Sequence, residues 1–228
     1  VALAGVLAAS MLFTGCSKKA ESKVPDKLIV GTNAEFPPFE YMNDKKQPEG
    51  FDIAMIKEIG KRMGKKVEIK NMEFKSLIGA MESDSINAII AGMTKTEKRE
   101  KAVDFSDSYY TTNQAIILKK DSKITKLAQL DGKKIGVQEG TTGDLISSGD
   151  KFGDGKKAKV LVKGAKVKRF KKGVDAVMDL KNGSVDAVVI DELTANEFVK
   201  KNAKKLKIVI DSAGSEYYCI ALTKGNTA

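Results

Sequence analysis

The sequence predicts an α/β protein of two similar lobes, each with a largely parallel sheet flanked by helices. Three observations carry that expectation. From about residue 27 onward, short apolar runs alternate with amphipathic helical patterns, the mark of strand–helix–strand units. LIGAMESDSINAIIAG (77–92) and VDAVMDLKNGSVDAVVID (174–191) repeat one succession of helix, polar turn and buried strand, with Ile86 matching Val185. Composition agrees: 228 residues, 42% apolar and 31% charged, exclude disordered, collagen-like and multi-span membrane chains.

The elements follow in order. Residues 1–16 hold an uncharged run, VALAGVLAASMLFTG, ending at Cys16. Its 15 residues fall short of the roughly 20 that span a bilayer, so it reads as the tail of an export signal. A Cys directly after Thr14 and Gly15 and before polar SKKAESK resembles the bacterial lipoprotein signal, in which that Cys is acylated; an ordinary cleavage site with an incidental Cys is the alternative. With Cys16 acylated, Cys219 has no intramolecular partner and no internal disulfide is expected. Residues 17–26 are a polar tether.

The patterned part begins with strand LIVGT, helix GFDIAMIKEIGKRMG, strand KVEIKNMEF, helix KSLIGAMES, strand INAIIAGM and the helical turn KTEKREKAV. Strands AIILKK and KKIGVQ, helix GVDAVMDLKNG, strand VDAVVID, helix ELTANEFVKKN and strand LKIVI complete it. The expected division is lobe 1 at 27–113, lobe 2 at 114–213 and a return to lobe 1 at 214–228.

Net charge is +10, and the excess is local: residues 1–113 carry 17 basic and 16 acidic residues, 114–228 carry 23 and 14. The run from Lys151 to Lys172 has ten basic residues and one acid, Asp154. Only Phe152 and Phe170 could stack on bases there, so a solvated lysine-rich face is expected and no nucleic-acid partner.

Ligands of open α/β sheets bind beyond the carboxyl ends of the strands, so the turns there carry the chemistry. After LIVGT, Pro37 and Pro38 stiffen a loop bearing Phe36, Phe39 and Tyr41, a wall for a small ligand, with a core plug the alternative for Phe39 and, less so, for Phe36. After INAIIAG, the Thr94 hydroxyl, helix N–H groups and the Arg99 guanidinium could converge on one carboxylate. A capping box with Glu97 and a surface ion pair are the alternatives for these two. After KKIGVQ, a Gly-rich turn offers backbone N–H groups and the Thr141 and Thr142 hydroxyls, without the Gly-Lys-Ser/Thr of a phosphate loop. After VDAVVI, Asp191 is a carboxylate at a strand end, or a helix cap. A cation with donors, an anion and an aromatic shelf together suit a free amino acid.

KLIVGTNAEFPPFEY, GFDIAMIKEIGKRMG, AGMTKTEKREKAVDFSDSYY, KKIGVQEGTTGD and VDAVVIDELTANEFV resemble, in this order, the polar amino-acid-binding proteins of ABC importers, solute-binding protein family 3. The resemblance implies a two-lobed periplasmic-binding-protein-like fold of type II, closing on one polar L-amino acid and serving ABC permease subunits in the membrane. It further implies that Arg99 grips the α-carboxylate with Thr94 and the backbone of Gly92 and Thr142, and that Asp191 holds the α-amino group. Phe36 and Phe74 would sandwich the side chain, with Asn33, Glu35 and Gln138 nearest its tip. Glutamine-specific relatives tend to have Asp and Lys at positions 33 and 138, and arginine-type relatives an acid at 33, so glutamine and a basic amino acid such as arginine both stay open. Members usually continue past YYCIALTKGN into a further helix, and a fragment at both ends is expected. The expectation is an extracytoplasmic, lipid-anchored monomer without cofactor or metal. Cyclohexadienyl dehydratases and receptor sensor domains share the fold; the sequence has no His, which removes His-based acid/base chemistry and most zinc sites.

Overall fold

The computed structural model of the protein describes residues 24–149, 162–210 and 215–226. Cys16 with its apolar leader, most of the tether and much of the lysine-rich run lie outside the described residues.

Strand β1 (Lys27–Thr32) leads into a small antiparallel sheet of β2 (Glu35–Phe36), β3 (Glu40–Met42) and β4 (Pro48–Glu49). Helix α1 (Phe51–Arg62), β5 (Lys66–Asn71), α2 (Leu77–Glu82), β6 (Ala88–Ile89), α3 (Glu97–Glu100) and β7 (Val103–Thr112) follow. The second lobe runs β8 (Gln114–Lys119), β9 (Lys134–Gln138), α4 (Thr142–Ser148), β10 (Lys166–Phe170), α5 (Gly173–Asn182), β11 (Ala187–Asp191), α6 (Glu192–Lys200) and β12 (Leu206–Ile210). Strand β13 (Glu216–Thr223) rejoins the first sheet. The chain thus changes sheet between Thr112 and Gln114, and again between Ile210 and Glu216.

The first sheet has order β5-β1-β6-β13-β7 and the second β10-β9-β11-β8-β12. The expectation of largely parallel sheets needs correction. Strand β1 is parallel to β5 and β6, and β9 to β10 and β11, but β13 and β8 each run antiparallel to both neighbours. Gln114 pairs with Asp191, so β8 enters beside the exit end of β11 and must run against it.

Alternation along the central strands fills a core on both faces of the second sheet. Ala115, Ile117, Val188 and Ile190 pack toward α5 and α6 residues Leu180 and Phe198, whereas Ile116, Leu118, Ala187 and Val189 join Leu130, Ile135 and Val137. In the first sheet Leu28, Val30 and Ile90 meet Ile56 of α1, and Ile89 meets Leu77 and Met81 of α2. INAIIAGM is a shorter strand than expected. Its ladder covers only Ala88–Ile89, because the chain turns toward the cleft at Gly92, where φ is 51° and the N–H bonds to Asp52 rather than to a strand.

Candidate functional site

The exit ends of β1, β6, β9 and β11 all face the gap between the lobes. Asn33, Phe36, Phe74, Gly92, Thr94, Arg99, Gln138, Thr141, Thr142 and Asp191, together with Ala91, line one small cavity there.

Arg99 is 6% exposed, and its partners are carbonyls: Nη1 donates to Thr94 O, and Nη2 to Gly140 O of the other lobe at 3.0 Å. Its guanidinium carbon stands 5.2 Å from the Phe74 ring centre. Burial lowers its pKa to about 10, against the pull of Glu216 and Asp191, so it stays cationic at neutral pH. This buried setting is not that of a surface ion pair. Nor does Thr94 form a capping box with Glu97. The cap of α3 is Thr96, whose hydroxyl accepts from Arg99 N, while Thr94 Oγ1 donates to Glu216 Oε2 at 2.8 Å.

Asp191 is 4% exposed at the N-cap position of α6, yet its side chain makes no capping bond, and Oδ1 has no hydrogen-bond partner among the described residues. Burial, then the Glu216 charge, pushes its carboxyl up to about 8. Tyr218 and Gln114 act in the opposite direction on the same carboxyl, and a buried acid in the cavity wall can pair with an ammonium.

Two expected contacts differ. Glu35 does not line the cavity; its carboxylate pairs with Lys172 at 2.7 Å on the cleft rim. Gly92 cannot offer its N–H to a carboxylate, because that N–H donates to Asp52 Oδ2 at 2.8 Å; its backbone has only the carbonyl to give, an acceptor suited to an ammonium. A Cβ at Gly92 would lie 3.2 Å from the Phe36 ring and 3.3 Å from Tyr218, so both φ and crowding require glycine. Asn33 is fully engaged: Nδ2 donates to Met72 O, and Oδ1 accepts from Gln138 Nε2 across the cleft at 2.8 Å. Gln138 Oε1 is buried without a hydrogen-bond partner among the described residues. Thr141 caps α4, and its hydroxyl donates to Gln138 O. Phe39 takes the core-plug alternative, 5.0 Å from Tyr110 and 5.1 Å from Tyr218 between ring centres.

Sequence reasoning missed four groups. Asp52, 0% exposed, accepts from Gly92 N and from the Tyr109 hydroxyl, both at 2.8 Å, and lies beside Glu40, also 0% exposed. Burial, then the neighbouring Asp52, holds the Glu40 carboxyl well above its ordinary range. In the sequence Asp52 is a first-turn acid of α1, indistinguishable from a dipole partner. Gln114 donates to Thr142 Oγ1 at 3.1 Å. Lys171 and Lys172 cross the cleft to Glu73 and Glu35, so the described end of the basic run is tied to the opposite lobe rather than simply solvated. Glu216 falls in the expected return segment 214–228, and its place on the face of buried Tyr218, two positions further along β13, shows only in the structure. Among the described residues no three His, Cys, Asp or Glu side chains are grouped to hold a metal.

Known proteins resemble this chain in sequence and fold. The family model for bacterial extracellular solute-binding proteins, family 3, matches residues 28–217. The arginine-binding extracellular protein ArtP of Bacillus subtilis (strain 168) is 36% identical over 204 residues, 89% of this chain and 75% of that protein. An ancestral arginine-binding protein bound to arginine superposes with a TM-score of 0.80 at 43% identity, covering 89% of this chain and 87% of its own. The same ancestral protein type bound to glutamine gives 0.79 and 42%, covering 90% and 87%.

Proposed function

The chain belongs to the bacterial extracellular solute-binding proteins of family 3, and we propose that it captures a polar L-amino acid between its lobes for an ABC importer. Arginine is the favoured ligand and glutamine the alternative. One observation carries the reading: a buried guanidinium from the first lobe and a buried carboxylate from the second, Arg99 and Asp191, line the same cavity. A zwitterion supplies the opposite pair, and only a molecule touching both lobes favours the closed arrangement over an open one. The Arg99 fork suits the flat α-carboxylate with the Thr94 and Thr142 hydroxyls, while Asp191 and the Gly92 carbonyl take the α-ammonium. Phe36 and Phe74 offer faces to a guanidinium or amide, and Gln138 Oε1 accepts from its N–H groups.

The relatives' names support arginine for this chain, and the paired ancestral structures, with arginine and with glutamine, support keeping both. The role is binding rather than catalysis, exercised outside the cytoplasmic membrane by a monomer that hands its cargo to permease subunits. Cys16, after an apolar leader, is the proposed acylation site; Cys16→Ser should release the protein from membranes on fractionation, and unchanged retention would remove the anchor.

Calorimetry with the twenty L-amino acids and prephenate tests the ligand. Arginine or glutamine should bind tightest; tight leucine binding with no response to polar amino acids, or turnover of prephenate, would overturn the reading.

A further inference from the structure

Glu216 opens β13, the strand that carries the chain back from the second lobe, and it is half-buried. Its position is stitched to the Arg99 loop, since Lys95 N donates to Tyr217 O at 3.0 Å and Thr94 bridges Tyr218. One oxygen, Oε2, accepts from Thr94 Oγ1 of the first lobe at 2.8 Å and from Thr142 Oγ1 of the second at 2.6 Å. Gln114 donates to the same Thr142 hydroxyl, which fixes the direction in which Thr142 gives its own proton. Arg99 lies close enough that Glu216 is the foremost charge holding its pKa up against burial. A carboxylate oxygen gripped by two hydroxyls, with a guanidinium beside it, is what an amino acid's α-carboxylate would find in this cavity.

We propose that Glu216 is an internal competitor for the ligand's α-carboxylate, bridging the Thr94 and Thr142 hydroxyls until a ligand displaces it. This rests on the reading of Thr94, Thr142 and Arg99 as the carboxylate seat. Each hydroxyl has a single proton to donate, so the two carboxylates cannot both be satisfied, and two anions beside one guanidinium repel. The ligand therefore gives up part of its binding energy to move Glu216 aside. Because Glu216 sits where the chain crosses between lobes, its return to the hydroxyls favours release of the ligand's carboxylate. The device acts only on ligands that have an α-carboxylate, which makes Glu216 a specificity residue as well as a brake on affinity.

The test uses the full chain with arginine and its decarboxylated amine, agmatine, by titration calorimetry. Glu216→Gln keeps the size and one acceptor and removes the charge; Glu216→Ala removes the side chain. Both should bind arginine about tenfold tighter, reflecting the charge-assisted hydrogen bonds no longer traded, and neither should tighten agmatine. Melting curves identify a variant that fails to fold, and the isosteric Gln keeps the test available if Ala does. Unchanged or weaker arginine binding in Glu216→Gln overturns the competitor role; weaker binding would instead make Glu216 an ammonium ligand. Arg99→Ala separates this from the underlying reading. If it leaves arginine affinity intact, the carboxylate seat itself is wrong, whereas loss in Arg99→Ala without a gain in Glu216→Gln sinks the competitor alone.

Discussion

The two five-stranded sheets have one order and differ in what stands at the cleft end of the third strand. Strand β6 occupies the place in the first sheet that β11 occupies in the second, each between a parallel neighbour, β1 or β9, and the antiparallel strand arriving from the other lobe, β13 or β8. Beyond β6 the chain makes a loop through Gly92 and Thr94 and brings in a cation from α3, whereas β11 ends on Asp191 itself and α6 starts at once. The common topology sets where functional groups stand. The connection sets their sign and how they are held: an anion on a strand is positioned by the ladder, but a cation on a loop needs a brace, here Asp52 on the Gly92 N–H and the Gly140 carbonyl on Arg99.

The comparison breaks most sharply at Arg99. Removing one member of a buried, hydrogen-bonded charge arrangement costs about 2–5 kcal/mol, so Arg99→Ala should lose tens to thousands of times in affinity. Arg99→Lys keeps the charge without the fork and should still weaken binding at least about tenfold. Near-wild-type calorimetry for Arg99→Ala would leave the cation without a role in the site.

Asp191 should show the opposite lobe's contribution as a proton. Its ordinary pKa is near 3.9, and in the folded protein it is pushed up to about 8. The folded state therefore keeps a proton that the unfolded chain loses between those values, and this contribution to stability is complete below about pH 4 and fades as pH rises to 8. A ligand ammonium reverses the preference. Binding near pH 7 should release close to one proton, and affinity should grow as pH approaches 8. Calorimetry in two buffers of different ionisation enthalpy measures it, and Asp191→Asn should abolish both the release and the pH slope. Equal heats in both buffers for the wild type would refute the assignment.

The sequence made some of this visible and concealed the rest for physical reasons. The strand–helix alternation and the echo of 77–92 in 174–191 come from local periodicity, which a single sequence displays. Arg99, Thr94, Thr142 and Asp191 could be picked out because topology sends strand ends to one place. The antiparallel β8 and β13 were hidden, since direction depends on pairing partners far along the chain. Glu35 was misplaced because nothing local distinguishes a residue facing the cavity from one meeting Lys172 on the rim. Glu40 and Asp52 look like ordinary surface acids, and only burial against each other, Tyr109 and Gly92 reveals them.

Bracing is the next contrast. Asp52→Ala leaves the Gly92 N–H and the Tyr109 hydroxyl without their acceptor, at about 1–3 kcal/mol for each unsatisfied group. The melting temperature should fall by several degrees or more, and ligand binding should weaken because the Gly92 turn is released. Glu40→Gln, which leaves both recorded hydrogen bonds to Asp52 in place, should be much milder. Equal destabilisation by the two changes would mean that Asp52 fills space and does not hold the turn.

The smallest effect concerns how the two lobes meet at the rim. Lys75–Glu139 at 2.9 Å, Lys171–Glu73 at 2.6 Å and Lys172–Glu35 at 2.7 Å all cross the cleft, and every one is partly exposed to solvent. Exposed pairs contribute about 0.2–1 kcal/mol each and are screened when the Debye length falls from roughly 30 Å at 0.01 M salt to 3 Å at 1 M. The buried Arg99 and Asp191 are screened far less, so salt separates rim from floor. Replacing Glu35, Glu73 and Glu139 together by Gln should weaken binding only a few-fold at low salt and leave it near wild type at high salt. The decisive quantity is the difference in salt slope between wild type and this triple variant, which cancels the general repulsion between a cationic ligand and a chain of net charge +10. Identical slopes would remove the rim pairs from closure, and a loss as large as that of Arg99→Ala would move the main contact between the lobes from the cavity to its edge.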